Sequence, residues 1–219
     1  MDLDSPWPAL AVGLLLVLTP VPLFVAGKVK YRSIENLEIA LRNSSWWRTW
    51  RNILFTPGHW IELVRAYFGM RCLLNALELM RKAGTYPEFS STWMVEGIAL
   101  VVATLAVCLM VGAFRIAEGA LAPVAFVAAA VFAVVPVEVA GLALILASST
   151  MIALKSLPAF FATLALGLAA LGLLFGQAMT AVAFGAGFAA APLVVAFSMH
   201  RELVIPVLQS HSTRSVTFR

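Results

Sequence analysis

"AEGALAPVAFVAAAVFAVVPVEVAGLALILA", residues 117–147, carries no Lys or Arg and is interrupted by Pro123 and Pro136. It is longer than the roughly 20 residues a helix needs to cross a hydrocarbon core. Read as one helix, it gives the chain five spans. Split at Pro136, it gives six. The split leaves almost no residues for a turn at "VVPVE", and a proline inside an apolar helix is well known to kink it. The sequence therefore predicts one long, kinked helix here.

Four other stretches are long enough to cross: 8–27, "PALAVGLLLVLTPVPLFVAG", then 94–114, 158–176 and 178–199. The composition agrees. Of the 219 residues, 62% are apolar and 12% charged, and the mean hydropathy is +0.94. Soluble domains run nearer about 45–50% apolar and about 25% charged. The expected fold is an all-α, polytopic membrane helix bundle. The N-terminal tail is acidic (Asp2, Asp4), and Lys28, Lys30 and Arg32 follow the first apolar run. That order is the reverse of a cleavable signal, so the first span is expected to be retained.

Charge bias sets an expected orientation. With the N-terminus outside and the C-terminus in the cytoplasm, five spans put 14 of the 15 Lys/Arg inside and leave Arg115 outside. At the outer end Arg115 and Glu118 are spaced to pair. The net charge of +4 then faces anionic lipid headgroups rather than nucleic acid. The expected location is a cell (inner) membrane.

Residues 33–93 are too polar to span and too apolar for a loose loop. Ser33 can cap a first helix carrying Ile34, Leu37 and Leu41. Thr56-Pro57 marks the start of a second helix and Gly84 its stop. In that second helix Trp60, Leu63, Tyr67, Met70, Leu74 and Leu77 follow a 3-4 alternation and are expected along one face, with Glu62, Arg65, Arg71, Asn75, Glu78 and Lys82 elsewhere. Glu78 and Lys82 form a favourable i,i+4 pair. Between the two helices lies "SSWWRTWRNILFTPGHW", 44–60. Trp46, Trp47, Trp50 and Trp60 with Arg48 and Arg51 suit a headgroup-level anchor or a partner-binding surface. The chain thus divides into 1–32 (first span), 33–93 (cytoplasmic amphipathic insertion), 94–199 (four-span bundle) and 200–219 (basic tail).

Catalytic chemistry finds little support. His59, His200 and His211 lie outside the spans or at an edge, and no HExxH or GxSxG pattern occurs. Cys72 and Cys108 have no partner at metal-ligand spacing. No cofactor and no metal is expected. Glu138 is placed by the five-span reading near the bilayer middle, where a carboxyl is costly. The favoured reading is a protonated carboxyl that hydrogen-bonds a hydroxyl on a neighbouring helix, such as Thr104; the alternative is a proton or cation site. Gly172 and Gly176, then Ala181, Gly185 and Ala189, stand at four-residue spacing and suit close helix packing within or between subunits. The leading expectation is a non-catalytic membrane subunit or scaffold that associates with itself or another membrane protein. A small transporter or channel using Glu138 is second, and a lipid-modifying enzyme is a distant third.

Overall fold

The computed structural model describes residues 5–19, 29–32, 56–84, 92–113, 115–116 and 119–208. Within them seven helices form: α1 (Pro6–Leu18), α2 (Pro57–Lys82), α3 (Thr92–Ala113), α4 (Val124–Val134), α5 (Val137–Leu154), α6 (Leu157–Leu174) and α7 (Met179–Ser198). Four short strands accompany them: β1 (Val29–Arg32), β2 (Arg115–Ile116), β3 (Gly119–Leu121) and β4 (Leu203–Leu208). Four helices, α3, α5, α6 and α7, are long and apolar enough to cross a membrane. The helical membrane-protein class stands on them. The apolar helices α1 and α4 are shorter, and α2, the longest helix, is too polar to be counted with the four.

Local sequence explains the ends of α2 and α6. Helix α2 begins at Pro57 after an extended Thr56 and stops before Gly84, which has φ +63°. Helix α6 begins with the Ser156 hydroxyl accepting from the Ala159 N–H at 3.4 Å. It ends on Gly176, whose φ of +68° closes a Schellman turn: Gln177 N–H donates to the Gly172 carbonyl at 2.8 Å.

The 117–147 stretch departs from expectation. It holds a strand, β3, and two helices rather than one kinked helix. Val135 and Pro136 are both extended, with ψ of 144° and 137°. Two consecutive extended residues break the helical hydrogen-bond ladder, and Pro136, with no N–H to offer, restarts it as the cap of α5.

Strand pairing then fixes directions. The order is β1-β4-β3-β2, with β3 and β4 parallel and the outer pairs antiparallel. Helices α3 and α7 lead directly into this sheet, and α4 leads directly out of it. Helices α5, α6 and α7 are joined by tight connections and pack side by side, so α5 ends and α6 begins at the sheet end. Val135–Pro136 therefore lies towards the far end, where the chain reverses. Helix α3 runs in the same direction as α1 and α7, whereas the five-span reading needs it to run the opposite way.

The core is filled by apolar side chains from all seven helices, with Phe126, Phe160, Phe161 and Phe188 enclosed. Helices α1 and α2 cross closely, antiparallel, at a pair of glycines. A Cβ on Gly13 would lie 2.8 Å from the Leu73 amide nitrogen, and one on Gly69 would lie 2.9 Å from Leu16 Cβ. Backbones approach this closely where neither helix carries a side chain.

Candidate functional site

Helix α2 carries the polar chemistry of the molecule, and its orientation differs from the predicted one. Its buried face is Gly58, Glu62, Arg65, Ala66, Gly69, Met70, Leu73, Ala76, Leu77 and Met80, packed against α1 and α4. Of the predicted stripe, Met70 and Leu77 are buried, but Trp60 is 55% and Tyr67 38% exposed. The helix is rotated because its small residues, not its large ones, meet the neighbouring backbone at the glycine crossing.

That rotation buries two charges. Glu62 is 6% and Arg65 7% exposed. Arg65 lies at the C-terminal end of α1, where the last carbonyls of a helix lack intrahelical donors and carry the negative end of its dipole. Its Nη1 donates to the carbonyls of Leu16 and Thr19 and, at 3.4 Å, to that of Val17. Its Cζ stands 5.6 Å from the centre of the Phe126 ring in the first turn of α4, a cation–π distance. One guanidinium thus ties α1 and α4 to α2. Glu62 Oε1 and Arg65 Nε and Nη2 have no hydrogen-bond partner among the described residues, and no ion pair joins the two side chains.

A second constellation lies towards the opposite end of the bundle. A cavity of about 370 Å³ opens at the seam between α2–α4 and α3–α5–α6–α7. Its floor is the reversal itself, from Phe132 to Val139, and its sides include Leu100, Leu168, Gly172, Ala181 and Gly185. Three polar side chains line it: Arg71 of α2, Glu96 of α3 and Gln177 from the α6–α7 turn. Arg71 is exposed and Glu96 half-buried. Among the described residues neither belongs to an ion pair. Nearer its end, α2 does pair charges. Arg81 grips Glu78 through Nε and Nη2 at 2.8 and 2.6 Å, and Lys82 stands 3.7 Å away. This hydrogen bond from Arg81 holds the half-buried Glu78 carboxyl below its ordinary pKa.

The residues singled out in sequence fall as follows. Glu138 is exposed in the first turn of α5, because the helix restarts at Val137. It is not at mid-helix, and a carboxylate there suits the positive end of the helix dipole. Thr104 bonds back to the Leu100 carbonyl of its own helix at 2.7 Å, and among the described residues no hydrogen bond joins it to Glu138. Gly172 packs within the chain: a Cβ there would meet Val182 Cγ2 at 2.8 Å. Gly185 and Ala189 are buried, and Gly185 borders the cavity beside Val135. Ala181 lines the cavity. Gly176 is a turn glycine rather than a packing one. Trp46, Trp47, Arg48, Trp50 and Arg51, the Ser33-capped helix and the Arg115–Glu118 pair lie outside what the structure describes.

Sequence reasoning missed Arg65, Arg71 and Glu96 as site residues. Arg65 had one signal, its spacing of four residues from Gly69, the glycine of the crossing. Comparison with protein families, with curated proteins and with solved structures finds no match to this chain.

Proposed function

We propose that this chain is a multi-pass membrane protein that takes a small solute into the seam between its two helix groups, a transporter-type role. One observation carries the reading: the seam cavity forms where α4 ends after 11 residues and the chain reverses at Val135–Pro136. Interrupted helices beside a cavity that holds a few polar groups are the recurrent binding geometry of membrane carriers. The scaffold expectation loses one support here, since Gly172 is used inside the chain. The transporter alternative is kept, with its site moved from Glu138 to the seam.

The orientation that best suits the charges has the sheet end in the cytoplasm. Eleven of the 15 Lys/Arg belong to strands, connections or the tail that start from the sheet end, Arg115 now among them. The positive-inside rule then puts the N-terminus outside and the C-terminus inside, and the cavity towards the outer face.

Accessibility tests the role. In a Cys72→Ser/Cys108→Ser background, single cysteines replacing Val135 or Ala181 should react with an impermeant maleimide in right-side-out vesicles and, separately, in inside-out vesicles. Reaction from one face alone would make the cavity a static binding site. Reaction from neither would end the reading.

A second reading, as a subunit of a membrane assembly, is favoured by a different feature. Trp60, Ile61, Val64 and Phe68 form an exposed apolar stripe along the outward side of α2, and aromatic residues are enriched in interfaces. Native mass in mild detergent, with any co-purifying chain, tests it.

A further inference from the structure

We propose that the seam cavity binds a small zwitterion with an apolar body, its anionic group on Arg71 and its ammonium group on Glu96. This rests on the reading of the seam as a solute site and names the class of solute. The argument starts from charge. Arg71 and Glu96 face one cavity from two helices and form no ion pair with each other or with another described residue. The contrast is on the same helix, where Arg81 closes bidentately on Glu78.

The charges decide among occupants. A lone anion would gain Arg71 but meet Glu96. A lone cation would meet the reverse. An uncharged apolar solute would displace water from both groups and pair neither, which costs free energy for each. A zwitterion satisfies both, with a carboxylate accepting from the guanidinium in the fork geometry arginine offers. Gln177, donor and acceptor at once, can serve either group. Leu100, Phe132 and Leu168 supply an apolar surface for the body. The volume, about 370 Å³, is near the lower end of the roughly 300–1,000 Å³ seen for ligand pockets and suits a small molecule.

Three probes with one apolar body separate these cases: L-leucine, 4-methylpentanoate, which lacks the ammonium, and leucinamide, which lacks the carboxylate. The full chain in proteoliposomes, with Ala181→Cys in the Cys72→Ser/Cys108→Ser background, reports occupancy as slowed thiol labelling. Leucine should protect at a concentration lower by about tenfold or more than either analogue, since each analogue leaves one cavity charge unpaired. Adding Arg71→Gln should erase leucine's advantage over leucinamide. Adding Glu96→Gln should erase its advantage over 4-methylpentanoate. Equal protection by either analogue in the unaltered cavity overturns the zwitterion. A thiol that reacts but that none of the three protects overturns it too, while leaving the open seam intact. A thiol that never reacts from either face removes the seam site and the proposal together.

Discussion

Arg65 and Arg71 stand six residues apart on one helix, about 9 Å along its axis, and live in different worlds. Arg65 is enclosed, its guanidinium on the carbonyls that end α1 and against the Phe126 ring. Arg71 is exposed on the wall of a cavity and belongs to no ion pair among the described residues. The first is a structural tie whose loss frees two neighbouring helices, α1 and α4, at once. The second is a charge held ready for something outside the chain. The residue type is the same in both places, and its role is set by what the neighbouring helices present to it.

The largest effect expected from breaking this contrast is at Arg65. Arg65→Leu would leave the α1 carbonyls without their donor and Glu62 buried without its neighbouring cation. Each buried acceptor left without its donor costs about 1–3 kcal/mol, and Arg65 serves the carbonyls of both Leu16 and Thr19. Arg71→Leu should change stability by no more than about 0.5 kcal/mol, as surface substitutions usually do. Thermal unfolding of both variants in the same detergent reads the difference. Equal losses, or none at Arg65, would erase the distinction between tie and open charge.

Next comes the crossing that lets Arg65 reach α1. Gly69→Val would press a branched side chain into Leu16 and Val17, whose atoms already lie within 3.2 Å of a Cβ at that position. Overpacking of this kind costs about 1–3 kcal/mol. Unfolding should move to lower temperature, and cross-linking between cysteines placed on α1 and α2 should weaken. A fully stable valine variant would show that the two backbones need not approach.

The smallest effect is at the exposed end of α2. Arg81 holds the Glu78 carboxyl below its ordinary value. A depressed acid stabilises the fold above the ordinary carboxyl pKa of 4.5 and loses that contribution as pH falls through the folded value. Glu78→Gln should thus lower the unfolding temperature slightly at neutral pH and not at all in strong acid, with the neutral-pH gap shrinking in salt. A gap that persists in acid would show that packing, not charge, is at work.

The places where sequence reading failed share a cause. Helix α2 offers two interleaved 3-4 stripes, one through Trp60, Leu63 and Tyr67 and one through Glu62, Arg65 and Gly69. In a soluble protein the larger apolar stripe would turn inward. In a membrane protein an apolar face has two places to go, lipid or bundle, so hydrophobicity alone does not choose between them. Here the stripe through Glu62, Arg65 and Gly69 turned inward, together with Met70, Leu73, Leu77 and Met80. The same ambiguity hid the break at Pro136, since an apolar run looks alike whether it continues across or turns back. The short sheet was invisible for another reason: β1 and β4 pair segments about 175 residues apart, and Ile205-Pro206-Val207 opposite Tyr31 carries no alternation to mark it.

What the sequence determined by itself is local or compositional. It set the membrane-helix class, through runs too apolar for water. It set the limits of α2 at Thr56-Pro57 and Gly84 through start and stop residues, and helices within 94–114, 158–176 and 178–199 through apolar runs long enough to cross. Tertiary structure alone decided the direction of α3, the inward face of α2, and the meeting of Arg71 with Glu96 at one cavity. Each of these depends on which backbone lies opposite, and that is settled by close approach at Gly13 and Gly69, by strand pairing between distant segments, and by the reversal at Pro136. No single stretch of the chain encodes a neighbour, so no single stretch can reveal what a charge is placed to meet.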